Sequence, residues 1–183
     1  MGLDSYLYRA PRYGTLEQIF SLYEKLSENE YAYHDIFEEV KGNQNLMVVK
    51  VLDQKKEILA NSGIPAEFQK EIGGSNSLIV EIAYWRKFNA LHAWFVRNCQ
   101  DGIDECQKSE VTKDKLEILL EVLKYAYDSK DPSGFMPVGG FFFGHTEVNE
   151  DYWEEVSGAI EKLTSIQSNF DFEKQILIYQ ASW

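Results

Sequence analysis

Apolar side chains along this chain recur at two spacings, every second residue in some blocks and every third or fourth in others. Leu3 to Arg9 alternates apolar and polar positions and then meets Pro11, which predicts a first strand. Leu16, Ile19, Leu22, Tyr23 and Leu26 follow at helical spacing behind Thr15 and Gln18, a pair that fits a capping box, so a helix is expected to about Asn29. Tyr31 to Val40 predicts a second short helix ended by Gly42, and the β-branched run Leu46 to Leu52 predicts a strand. Lys55 to Gly74 is charged and broken by Gly63, Pro65 and the Gly73-Gly74 pair, which predicts a surface connection with one or two helical turns.

The dominant helical signal lies between about 77 and 99. There Tyr84, Phe88, Leu91 and Phe95 stand at i, i+4, i+7 and i+11 and make one apolar stripe, which predicts a long central helix. Thr112 caps a further helix carrying Leu116, Leu119, Leu120, Leu123 and Tyr127, closed by Asp131-Pro132 and Gly134. Val138 to Gly144 predicts a short, glycine-flanked aromatic strand. Asn149 caps a helix with Tyr152, Val156, Ile160 and Leu163 on one face, and Lys174 to Trp183 predicts a closing strand. The expected fold is α+β, a single domain over residues 1–183 with helices packed on a small, mainly antiparallel sheet.

Composition agrees with a chain that builds its own core. Of 183 residues, 44% are apolar and 14% aromatic, far from the profile of a disordered segment. The longest apolar runs fall well short of the roughly 20 residues of a membrane span, and the first residues lack a secretory pattern, so a soluble cytoplasmic protein with no membrane partner is expected. Cys99 and Cys106 are expected to be free thiols, with a disulfide or a metal role as the alternatives. Neither sits in a C-x-x-C pair, which argues against zinc.

Charge changes the picture more. The net of −12 argues against ordinary binding to phosphate backbones, because that affinity comes from basic side chains. The charge is also uneven. Between His145 and Gln175, eight acids (Glu147, Glu150, Asp151, Glu154, Glu155, Glu161, Asp171, Glu173) stand against Lys162 and Lys174. From Tyr84 to Arg97 there are Arg86, Lys87 and Arg97 and no acid. Two faces with two different partners would give this pattern, and so would a merely solvated helix face.

Three constellations carry candidate chemistry. On the expected long helix, Trp85, Arg86, Asn89 and His92 stand three and four residues apart, with Lys87 beside them, and so share a polar edge. Arginine offers a bidentate fork, asparagine a bidentate amide, tryptophan a stacking surface and histidine a proton carrier, a set suited to a phosphate or a base. The same edge could equally make internal hydrogen bonds to loops. The second constellation is Gly-Gly-Phe-Phe-Phe-Gly-His-Thr-Glu, residues 139–147, which delivers His145, Thr146 and Glu147 just before a capped helix. His92 and His145, if they met, would form an acid–base pair able to cleave RNA at the ribose 2′-hydroxyl without a metal, although a histidine at such a place more often has a structural role. The third is the loop with Asp101, Asp104 and Glu105, which lacks the ligand order of an EF-hand. Phosphate-loop and dinucleotide fingerprints are absent as well, so no cofactor is implied.

Taken together, Met1-Gly-Leu-Asp-Ser-Tyr-Leu-Tyr, the segment Tyr84-Trp-Arg-Lys-Phe-Asn-Ala-Leu-His-Ala-Trp-Phe-Val, the Gly140-Phe-Phe-Phe-Gly-His-Thr-Glu turn and the Gln180-Ala-Ser-Trp end resemble a family of small acidic proteins of phages and prophages of Gram-positive bacteria. Chains of this look include type II anti-CRISPR proteins, which disable the CRISPR effector nuclease, in one case with shortening of its guide RNA. The resemblance spans the chain in four short blocks. It implies an inhibitor at work in the bacterial host cell, whose partner is the type II effector nuclease, its guide RNA or both. No family residue role transfers to a position here. A stand-alone phage enzyme acting on nucleotides or RNA and a non-catalytic interaction module are the competing readings.

Overall fold

In a computed structural model that describes residues 2–140 and 143–183, the elements run β1 (Asp4–Pro11), α1 (Leu16–Tyr31), α2 (Tyr33–Glu39), α3 (Gln44–Ala60), α4 (Ala66–Gln69), α5 (Ser75–Leu78), β2 (Val80–Arg86), α6 (Asn89–Cys99), β3 (Ser109–Glu110), α7 (Lys113–Ser129), a 3-10 turn (Pro132–Gly134), α8 (Glu150–Asn169) and β4 (Gln175–Ser182). The fold is α+β, as expected. Contacts divide the chain into two compact units, Met1–Arg9 with Glu81–Trp183, and Ala10–Val80.

The strands form one four-stranded sheet in the order β2-β1-β4-β3. β3 runs antiparallel to β4, with Ser109 opposite Tyr179 and Glu110 opposite Ile178. β2 runs antiparallel to β1: the Lys87 amide donates to the Leu3 carbonyl at 2.7 Å, and the rings of Tyr6 and Tyr84 lie 5.3 Å apart. In β4, Ile176, Leu177, Ile178 and Tyr179 are all buried, the pattern of a strand covered on both faces. Phe95 of α6 stacks on Tyr179 with centroids 4.0 Å apart. Leu116, Leu119, Leu120, Leu123 and Ala126 of α7 and Tyr152, Val156, Ala159 and Leu163 of α8 complete this core. Each fully buried leucine there contributes about 2 kcal/mol of apolar burial.

The Ala10–Val80 unit is helical. Thr15 and Gln18 make the expected capping box, and Thr112 and Asn149 likewise accept the amides of Lys115 and Tyr152. Ile19, Leu22 and Leu26 of α1 are buried where α1 meets α3 and α5. Glu30 anchors α5 by accepting the Ser75 amide at 2.8 Å and the Ser75 hydroxyl at 2.5 Å. Tyr13 stacks on Phe68 and donates to Glu71 at 2.7 Å.

Three sequence expectations are corrected. The long helix over 77–99 is instead α5, strand β2 and the shorter α6. Residues 80–86 alternate on the sheet, with Ala83 and Trp85 inward and Tyr84 and Arg86 outward, and pairing with β1 outweighs a helical stripe that Tyr84 joined by coincidence. Lys87, at φ 58°, breaks the chain before α6. The strand expected at Leu46 to Leu52 is the start of α3, capped by Asn43, because Val51 and Leu59 face the unit's core while Leu46, Val48, Val49 and Leu52 stay 47–55% exposed. Of the strand expected at Val138 to Gly144, Phe141 and Phe142 lie outside the described residues. The described remainder pairs with no strand, since an asparagine side chain takes up its backbone groups. No helix among the described residues is long and apolar enough to cross a membrane.

Candidate functional site

α6 places its polar side chains inside the protein. His92 is 1% exposed; its Nδ1 lies 2.7 Å from the Tyr179 hydroxyl and its Nε2 2.9 Å from Oδ2 of Asp104. The chain of contacts continues from Tyr179 to the Ser5 hydroxyl at 3.2 Å, and from Oδ1 of Asp104 to the Trp183 indole N–H at 3.1 Å. A carboxylate only accepts, so Nε2–H of His92 donates to Asp104; with the imidazole neutral, Nδ1 then accepts the phenol proton and the phenol oxygen is left to accept from Ser5. Burial pushes the Tyr179 phenol far above its ordinary range, so that proton stays in place. In this relay Ser5, His92 and Tyr179 are buried with partners and offer no atom to a ligand.

Asn89 is 3% exposed and makes three hydrogen bonds to one segment of chain. Its Nδ2 donates to the carbonyls of Phe143 at 3.0 Å and His145 at 2.8 Å, and its Oδ1 accepts the Val138 amide at 3.1 Å. Gly144 then passes close to the Lys87 backbone: at φ 89°, a Cβ there would stand 3.1 Å from Cβ and 3.3 Å from O of Lys87. Only glycine suits both the conformation and the approach. Asn89 therefore ties the backbone of Val138 to that of Phe143 and His145 and is itself buried.

That segment, the junction 86–89 and the first turns of α8 enclose a cleft of about 270 Å³ lined by Arg86, Lys87, His145, Glu147, Asp151 and Glu155, over an apolar part made of Phe88, Pro137 and Tyr152. The cations come from the junction. Asp151 and Glu155, four residues apart, share one face of α8. Glu155 as a whole remains exposed, yet packing of its carboxyl against the cleft wall, with the Asp151 charge adding to it, pushes it up to about 7. The cleft thus has a cationic end and an acidic end.

The structure divides the expected site residues. Arg86, Lys87, Asn89, His145 and Glu147 gather at this cleft, Asn89 as its support. Thr146 is exposed beside Gly139. Trp85 is 7% exposed, inside the core with Lys162 over its ring, and provides no stacking surface. Because residues 85 and 86 are on a strand, the helical edge joining them to Asn89 and His92 does not exist. No hydrogen bond or ring contact joins the imidazoles of His92 and His145 among the described residues, and His92 has both nitrogens engaged. Asp151 and Glu155 escaped the sequence reading, although their spacing behind the Asn149 cap was visible. In the acidic loop Asp104 serves His92 and Trp183, and among the described residues no group of three or more His, Cys, Asp or Glu is placed to hold a metal ion.

Comparison of the chain with protein-family models, with curated proteins and with solved structures finds no match.

Proposed function

We propose that this protein is a phage-type inhibitor of a type II CRISPR effector nuclease, which docks an acidic surface on the basic channel that holds guide RNA and DNA. The observation that carries the reading is the disposition of charge. All eight carboxylates between residues 145 and 175 are exposed, against two exposed lysines, Lys162, which donates to the Tyr84 carbonyl, and Lys174, which lies 3.5 Å from Asp171. A channel built to bind phosphates attracts such a surface over a Debye length and speeds encounter. The resemblance of the four sequence blocks supports the same partner. Cutting of the guide by His92 with His145 is no part of the mechanism, because His92 faces no solvent.

The test mixes the purified protein with a guide-loaded type II nuclease and reads DNA cleavage and guide length. Inhibition with the guide intact is expected, weakening as salt rises and in a Glu154→Lys, Glu161→Lys double variant. Undiminished DNA cleavage at saturating protein would overturn the inhibitor reading and leave the stand-alone enzyme and the non-catalytic module.

A further inference from the structure

We propose that the cleft between residues 86–89 and α8 binds a single nucleotide, with its phosphate on Arg86 and Lys87 and the N–H edge of its base on Asp151 and Glu155. The assignment goes beyond the docking reading and does not depend on it: Asp151 and Glu155 belong to both surfaces, but the cleft also needs Arg86 and Lys87 and needs no nuclease.

The two ends of the cleft differ in what they can hold. Arg86 and Lys87 supply two positive charges from adjacent positions, enough to balance a phosphate monoester, and a guanidinium can grip two of its oxygens at once. At the other end, Asp151 and Glu155 accept hydrogen bonds. A carboxylate has two oxygens side by side, which match the adjacent N1–H and N2–H of guanine, whereas uracil offers one N–H. Pro137, half-buried, leaves apolar surface for the base, while Phe88 and Tyr152 are buried and only close the floor beneath it.

Size and charge then limit the occupant. About 270 Å³ is near the lower end of ligand pockets and suits one nucleotide. Glu147, Glu150 and Glu154 stand on the same segment and helix and would repel the phosphates of a continuing strand. That repulsion favours a free nucleotide; the 5′-phosphorylated end of a strand is the other source of the same terminal phosphate and base. Part of the wall is also held in advance, because Asn89 fixes the backbone at Val138, Phe143 and His145 and less ordering remains to be done there on binding.

Calorimetric titration of the full chain with GMP, UMP, guanosine and inorganic phosphate tests the site. GMP should bind at least about tenfold more tightly than either guanosine or phosphate, the scale of one charge-assisted hydrogen bond. Arg86→Gln should remove the advantage of GMP over guanosine, with Lys87→Gln as a second variant should the first fail to fold. Glu155→Gln should remove the preference for GMP over UMP, and melting curves of each variant establish that it is folded. Equal binding of GMP and guanosine by the natural chain, or affinities that no folded variant changes, overturns the proposal. Titration with guanosine-initiated RNA oligomers, with and without a 5′-phosphate, then separates the two sources: binding of only the phosphorylated oligomer assigns a strand end, and binding of GMP but of neither oligomer assigns a free nucleotide.

Discussion

The Tyr179 hydroxyl lies 2.7 Å from Nδ1 of His92, so one hydrogen bond joins a residue of β4 to a residue of α6 inside the core. Both are buried, and each has a second partner, Ser5 for the tyrosine and Asp104 for the histidine. Tyr179→Phe keeps the stack on Phe95 but leaves His92 Nδ1 and the Ser5 hydroxyl unmet. It should cost about 1–3 kcal/mol of stability, read as a lower urea midpoint. A midpoint equal to that of the natural chain would show that the relay contributes nothing.

Asn89 offers a sharper substitution. In Asn89→Asp the Nδ2 donor that serves the Phe143 and His145 carbonyls becomes an oxygen, and two acceptors then face an acceptor. The 138–145 segment should exchange its amides faster and be cut sooner by protease, while amides in α7 keep their protection. Unchanged exchange in that segment would mean that the asparagine does not hold it.

Glu155 links stability to pH. Its carboxyl is raised to about 7 in the folded protein from an ordinary value of 4.5, so between those values the folded state binds more protons than the unfolded one, and stability falls as pH rises. Glu155→Gln should flatten the melting temperature between about pH 5 and pH 7 and melt higher than the natural chain at pH 8. Parallel profiles for the two proteins would contradict the shift.

Of the cysteines, Cys99 is the inert one. Burial pushes its thiol up to about 11, against a smaller opposite pull from Lys115, and a thiol that stays protonated is a poor nucleophile. At pH 8 iodoacetamide should leave Cys99 unmodified in the folded protein and label it fully in denaturant, as peptide masses will show. Rapid labelling under native conditions would place Cys99 outside the core.

Capping chemistry was the most legible part of the sequence. Thr15 with Gln18, Thr112 and Asn149 each accept the expected amide, because a cap depends on residues within one turn of chain. β2 was hidden because Tyr84 extends the stripe Phe88, Leu91, Phe95 by one helical step, and only pairing with β1, some 80 residues earlier, decides between the two periods. The left-handed turn at Lys87 has no glycine to announce it. In the same way, Arg86, Lys87, His145 and Glu147 could be picked out by type, and the fold brings them to one cleft. Neither the burial of His92 nor the inward turn of Trp85 could be read, since both follow from strand and helix positions set by distant chain.

β1 lies between β2 and β4, and Ser5 meets Tyr179 across 174 residues. A chain leaving the ribosome therefore releases β1 early and must wait for β4 before that side of the strand can pair. Residues 10–80, whose contacts close among themselves, emerge long before then and can fold at once, as units do during translation. Until β4 emerges the nascent chain carries an open backbone edge on β1, the kind of edge on which chains aggregate. The sheet cannot close until β4 has emerged.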